Sequence, residues 1–301
     1  MVMADKGWET PMRRRASAAL PMGVRRAIWR LEARAEVWQQ ARRLAALRRE
    51  AREAGPSSLL RLPKLPYTVR VGDPQNLYIL YKDIFVRRIY HFDAVRPDPL
   101  VLDCGSNTGM SVLYYKHAYP AARVIGFEPD PGIYPTLREN VERNGLRDVR
   151  LVQAAIGGRQ GRLAFDSDGK YGSCLADHRP TDRAGWTRHE VPCVRLRDYL
   201  TEPVDYLKMN IEGAEHEALA DAADRLALVR EMVVEYHHMP GLRRSLHEIL
   251  TILHGCGFEY LINDLDGQTN CGVSPPFRLN PDTRYYLLIY ARRRDAMSAA
   301  A

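Results

Sequence analysis

The chain has 301 residues, 46% hydrophobic and 27% charged, which excludes a wholly disordered protein and suits one large globular domain with an appendage, or two domains. No run of about 18 consecutive apolar residues occurs and no apolar segment follows the Arg-rich N-terminus, so neither a transmembrane helix nor a secretory signal is expected. The net charge of +7 is local: residues 1–66 hold 15 Lys/Arg against 6 Asp/Glu, and the remainder 29 against 31, whereas a nucleic-acid binder is usually basic on its main body.

Five scattered cysteines (Cys104, Cys174, Cys193, Cys256, Cys271) form no CxxC pair. That pattern fits a reduced, cytoplasmic protein without a zinc cage or a disulfide framework.

In chain order, residues 22–53 read as one amphipathic helix with Val24, Ile28, Leu31, Ala35, Trp38 and Ala45 near one face, stopped by Gly55-Pro56. It is expected to pack on the body or on a second copy, which makes a homodimer plausible. A polyanion- or membrane-docking role is the alternative. Three prolines and an aromatic-rich run then lead into the main fold; its aromatics are expected mostly in the core, with a pocket wall as the alternative. The expected division is a basic arm over 1–66, a lead-in over 67–98 and a main domain over 99–295.

From residue 99 strands and helices alternate. PLVLDC is a short buried strand, and a helix follows that stops at Pro120. RVIGFE (123–128) is a second strand; the helix after it ends on Asn144-Gly145. VRLVQAAI (149–156) is a third strand, followed by short strands in GRLAFDS, GSCLA and HEVPCVRL. VDYLKMNIE (204–212) and EMVVEYHH (231–238) are strands four and five, separated by a helix over GAEHEALADAADRLA. After a last helix, GFEYLIND and RYYLLIYARR close the fold as strands. The alternation predicts an open, doubly wound, mostly parallel sheet.

The first strand runs into the loop GSNTG. A dinucleotide fold needs G-x-G-x-x-G to seat a pyrophosphate on a helix N-terminus. Here Gly105 and Gly109 flank Asn107, and the third glycine is missing, which ranks an NAD-dependent oxidoreductase low. Asn tolerates φ > 0 and can keep the tight turn, and Gly109 lets a ligand approach the backbone. Asp103, just before the loop, would repel a pyrophosphate but suit an ammonium. Glu128 ends strand two, where a carboxylate holds a ribose diol in this fold class. Pro129 follows and stops the strand. The set points to S-adenosylmethionine (SAM), which joins a ribose and an adenine to a zwitterionic methionine without phosphate.

At the other strand ends, Lys208, Asn210 and Glu212 share one face if strand four persists. A lysine in a buried strand needs a partner, with Glu212 or Glu235 the candidates. Asn210 is expected to contact SAM or the acceptor. Strand five ends in His237-His238, of which alternation lets only one face the site. A methyl acceptor must be aligned and relieved of its proton, and histidine is the usual base near neutral pH. The catalytic candidates are therefore His237, then His238, with Glu212 and Lys208. A divalent metal on Glu212, Glu235 and a histidine is chemically conceivable but not favoured, because no spacing brings the ligands together. Ser173, in the irregular stretch after strand three, is a candidate donor to SAM.

These residues carry a resemblance. VLDCGSNTGMS, VIGFEPDPGIYPTLRENVERNGL, AAIGG, GSCLA, VRLRDYL, VDYLKMNIEGAEHEAL and VVEYHH, in this order over roughly residues 77–290, resemble the FkbM family of SAM-dependent methyltransferases. The K-x-[DN]-x-E-G-x-E element is the most specific of them. The resemblance implies a class I methyltransferase (Rossmann-like) fold with a seven-stranded sheet, and O-methylation of a hydroxyl on a natural product or sugar. It further implies that Gly105, Ser106, Asn107 and Gly109 line the SAM methionine, Glu128 holds the ribose, and Ala154, Ala155 and Ile156 lie by the adenine. The family often has Asp where this chain has Asn210, which weakens the case for a charged group there.

Overall fold

The computed structural model describes residues 22–168, 174–175, 185–238, 243–264 and 285–295, with side chains of the first helix described from residue 38 onward. That helix, α1, spans Met22–Ala54. It is followed by a two-stranded hairpin, β1 (Leu59–Arg61) and β2 (Thr68–Arg70), through which the expected 66/67 division runs. Helix α2 (Pro74–Leu80) continues directly into a π-helical turn, Tyr81–Val86.

The main sheet begins with β3 (Leu100–Cys104), α3 (Met110–Ala118), β4 (Arg123–Phe127), α4 (Tyr134–Arg143) and β5 (Val149–Val152). It resumes with β10 (Val204–Met209), α5 (Glu215–Asp221), β11 (Val229–His238), α6 (Leu246–Gly255), β12 (Phe258–Asp264) and β13 (Tyr285–Arg293). Between the two halves lie β6 (Ala155–Gly157), β7 (Gly161–Ser167), β8 (Cys174–Leu175) and β9 (Thr187–Arg195). These four form a sheet of their own, in the order β6-β9-β7-β8.

The seven-stranded sheet has the order β12-β13-β11-β10-β3-β4-β5. Its pairs from β11 to β5 are parallel, and β13 inserts antiparallel between β11 and β12. This is the mostly parallel class I methyltransferase arrangement. Central strands are covered on both faces: all five residues of β3 and all six of β10 are buried, and hence read as apolar runs. The strand order reverses between β3 and β10, where a crevice opens beyond the carboxyl ends.

One sheet face packs the lead-in. Leu47 and Ala51 of α1, with Leu62, Val69, Tyr81, Ile84, Tyr90 and Phe92, share a core with Val101, Tyr206 and Val233. The buried stripe of α1 is therefore not the one expected: Trp38 is 62% exposed and Ala45 is exposed, while Leu44, Leu47 and Ala51 make the contact. The expected face positions Val24, Ile28, Leu31 and Ala35 precede the described side chains. Asn144 closes two bonds of 2.9 Å to the backbone of Thr68, and Asn140 accepts from Arg70 N–H at 2.7 Å. These contacts fix the lead-in over the strand ends.

Two strands stop earlier than their composition suggests. VRLVQAAI breaks after Val152, whose carbonyl accepts both Glu128 N–H (3.1 Å) and Ala154 N–H (3.0 Å). The chain turns there and enters the second sheet. Strand four ends at Met209, because Glu212 (φ 56°) and Gly213 (φ 105°) are left-handed and reverse the backbone into α5. The shared face expected for Lys208, Asn210 and Glu212 thus arises from a turn rather than from an extended strand. Gly145 (φ 60°) ends α4 in the left-handed conformation.

Candidate active site

A cavity of about 210 Å³ occupies the crevice at the ends of β3, β4, β10 and β11. It has two ends of different chemistry.

The first end is made of backbone. Gly105 (φ 82°), Asn107 (φ 47°) and Gly109 (φ 89°) alternate left-handed residues through the loop, so Asn107 does hold the positive φ expected of it. A Cβ on Gly105 would lie 1.8 Å from the carbonyl oxygen of Asn210, so only glycine lets the two strand ends meet. A Cβ on Gly109 would press on Leu137 at 2.8 Å; this glycine serves the start of α3 and the packing of α4, and the cavity wall does not include it. Asn107 N–H donates to Glu128 (2.8 Å), and its side-chain oxygen accepts from Asn76 (3.1 Å) and Thr108 N–H (2.8 Å). Glu128 also accepts from Asp130 N–H at 2.9 Å. Burial raises the Glu128 carboxyl to about 7, against the opposing pull of these backbone donors.

Ser106, Pro129, Ala154, Ala155 and Ile156 line the same end, joined by Phe165 of β7. The second sheet is anchored there by a Ser167 hydroxyl that donates to Asp130. A carboxylate flanked by an apolar Ala-Ile-Phe wall suits a ribose beside an adenine. Asn210 Oδ1 is buried on the cavity wall with no hydrogen-bond partner among the described residues. An unpaired acceptor of this kind can receive an ammonium. The residues present therefore fit SAM. Ser173 lies outside the described residues.

The second end is made of charged side chains. Register places Lys208 of β10 beside Asp103 of β3, and their side chains pair at 3.2 Å, 2% and 0% exposed. Lys208 also donates to the carbonyls of Cys104 (3.3 Å) and Gly105. The partner of Lys208 is thus Asp103, rather than the Glu212 or Glu235 expected. Asp103, which also accepts from Ser111 at 2.6 Å, is fully buried and stands outside the cavity lining. Tyr90 packs its ring 5.2 Å from the Lys208 ammonium and donates to Glu235 at 2.8 Å.

His237 sits behind Glu212 and Glu235. Its Nε2 is 3.6 Å from each of their carboxylates, and its Nδ1 is 3.4 Å from Glu215. Burial pulls the imidazole down, but the three carboxylates outweigh it and raise it to about 10. Burial lifts the Glu212 carboxyl to about 7, with the His237 cation opposing the shift. His238, one residue on, points to the other sheet face, where its ring stacks 4.8 Å from Tyr285. Alternation along β11 separates the two histidines as expected, and only His237 reaches the acidic end. Among the described residues, no group of three or more His, Cys, Asp or Glu is arranged to hold a metal ion.

Several wall residues escaped the sequence reading. Asn76, Ile79, Leu80, Ile84 and Tyr90 of the lead-in roof the cavity; their only sequence signal is the aromatic-apolar run after Pro74. A π-helical turn at Tyr81–Val86 re-aims this run, a distortion common at functional sites that no residue pattern announces.

The fold and cavity define a class I methyltransferase. The sequence pattern of the Methyltransferase FkbM domain matches residues 103–260, and the chain belongs to the FkbM family of SAM-dependent methyltransferases. It is 31% identical over 158 residues to the 2-O-methyltransferase NoeI of Sinorhizobium fredii, covering 47% of this chain and 64% of that protein. It is 28% identical over 236 residues to the 31-O-demethyl-FK506 methyltransferase FkbM of Streptomyces tacrolimicus, covering 66% of this chain and 88% of that protein. A solved methyltransferase FkbM from Methylobacillus flagellatus aligns with 72% of this chain and 54% of that one, at 18% identity and a TM-score of 0.41.

Proposed function

We propose that this enzyme methylates a hydroxyl of a small-molecule natural product or a sugar. SAM supplies an activated methyl group on a sulfonium. Gly105, Ser106 and Asn107 cradle its methionine end, Asn210 receives the ammonium, Glu128 holds the ribose, and Pro129 with Ala154, Ala155 and Ile156 packs the adenine. The acceptor enters beneath Ile79, Leu80 and Ile84 and turns its hydroxyl to the acidic end. The observation that carries this reading is the single cavity that joins a backbone-built cofactor end to a carboxylate-lined end. Two relatives whose names specify O-methylation support the oxygen acceptor. The near-neutral body beyond residue 66 argues against a nucleic-acid acceptor.

The proposal extends to a cytoplasmic enzyme that pairs with a second copy through α1, where the exposed Trp38 is the feature a partner would cover. Among the described residues no helix is long and apolar enough to cross a membrane. Sizing by light scattering, with Trp38→Ala as the control, reads the oligomeric state.

Calorimetric titration with S-adenosylhomocysteine and, separately, with NAD tests the cofactor. Micromolar binding of the first alone is expected. Binding of NAD instead, or of neither, would overturn the reading. Mass spectrometry of a panel of glycosides and macrocyclic alcohols incubated with SAM then reads the acceptor class as a gain of one methyl group.

A further inference from the structure

Among the described residues, the acidic end gathers three glutamates around one histidine. Glu212 and Glu235 line the cavity, and Glu215 lies beneath them with a side-chain exposure of 1%. His237 is the cation in their midst, with a side-chain exposure of 5%, against 28% for Glu212. Among the described residues, the groups facing Glu212 are His237 and Glu235 from β11, Glu215 from α5 and Lys208 from β10. Lys208 is already engaged by Asp103 and two carbonyls, and Glu235 by Tyr90.

Glu212 also has a left-handed backbone. Its φ of 56° is rare for a non-glycine residue, and such strain persists only where the surroundings enforce it. Glu215 provides the enforcement: one carboxylate oxygen accepts from Ile211 N–H (3.3 Å) and Gly213 N–H (3.1 Å), on either side of Glu212. The same oxygen faces His237 Nδ1 at 3.4 Å. The two glutamates of the sequence IEGAE thus divide the work: Glu215 pins the turn and the imidazole, and Glu212 is carried to the cavity wall.

We infer that Glu212, which lines the cavity, takes the proton of the acceptor hydroxyl, and that His237, which lies behind that wall, is a positioning residue held by Glu215. This rests on the methyltransferase reading. As the acceptor oxygen bonds to the methyl carbon, the bond from that carbon to sulfur breaks with its electron pair left on sulfur. The hydroxyl proton passes to the Glu212 carboxylate and leaves to solvent when the product departs. A base whose affinity for protons matches neutral pH is the efficient one. Burial places the Glu212 carboxyl at about 7, while the surrounding carboxylates keep His237 charged to about 10. An imidazolium has no free nitrogen lone pair with which to take another proton.

Nuclear magnetic resonance of the full chain, with histidine nitrogens and glutamate carboxyl carbons labelled, reads both groups directly. The His237 ring is expected to stay protonated on both nitrogens from about pH 6 to about pH 8.5, below its own titration at about 10. One carboxyl is expected to titrate near neutrality and to vanish in Glu212→Gln. Loss of the neighbouring cation in His237→Gln should move that titration to higher pH, an effect that a neutral histidine would not produce. If Glu212→Gln fails to fold, Glu212→Asp shifts the same signal and assigns it. A His237 ring neutral at pH 7.5, or a Glu212 carboxyl ionised throughout, overturns the inference. Calorimetry with S-adenosylhomocysteine on the same samples separates the two levels. No binding would refute the methyltransferase reading, whereas binding with a neutral His237 refutes only the proton assignment.

Discussion

The two ends of the cavity are built by opposite means. The cofactor end is shaped by backbone: left-handed residues at 105, 107 and 109, and a glycine that admits a carbonyl where any side chain would collide. The acidic end is shaped by side chains that arrive from distant parts of the chain, with Tyr90 meeting Glu235 and Lys208 meeting Asp103. A backbone site tolerates chemical change but no added atom. A side-chain site tolerates added atoms but no lost charge. The variants below test that difference.

Gly105→Ala should have the largest effect. Its Cβ would lie 1.8 Å from the Asn210 carbonyl oxygen, so β3 and β10 must separate. Denaturant unfolding is expected to show a loss above about 4 kcal/mol, in the exceptional range for one substitution, together with loss of S-adenosylhomocysteine binding. Lys208→Met comes next, because it strands the Asp103 carboxylate in a site with no exposure. Breaking such a pair costs about 3–5 kcal/mol, and adding Asp103→Asn should restore at least part of it. A double variant no more stable than Lys208→Met alone would show that the pair is not the cause.

Glu128→Ala should weaken S-adenosylhomocysteine by about tenfold to a hundredfold, as expected for hydrogen bonds to a charged group. A smaller and opposite test uses pH. His237 has its folded value raised to about 10 from an ordinary value near 6.5. Its contribution to stability is complete below that ordinary value and is lost as pH rises through about 10. Melting temperature should therefore fall between pH 8 and 10 in the wild type, and fall less in His237→Gln. The smallest effect is expected for Asn107→Gly, within about 1 kcal/mol. Glycine keeps the left-handed turn and loses the side-chain oxygen's bonds from Asn76 and Thr108 N–H. A large loss there would mean that the side chain, rather than the backbone, defines the loop.

The same division explains what could be read from the sequence. Conformation written in residue type was legible: the Gly-Asn-Gly spacing gave the loop, the buried apolar runs gave β3 and β10, and alternation separated His237 from His238. Pairing across the sheet was not. Asp103 faces Lys208 because of register between β3 and β10, and register is a property of two strands about 100 residues apart. The reading accordingly gave Lys208 the wrong partner. The turn at Glu212 was hidden because glutamate, unlike the asparagine at 107, is not a residue type that signals positive φ. The roof from Asn76 to Tyr90 was equally hidden, since apolar residues on a pocket wall look like core.

The most direct test of the account is a crystal structure with S-adenosylhomocysteine. The account predicts its adenine against Ala154, Ala155 and Ile156, its ribose hydroxyls on Glu128, its amino group on Asn210, and its sulfur facing the end lined by Glu212 and Glu235. Density for the molecule elsewhere, or with its sulfur turned away from those carboxylates, would contradict it.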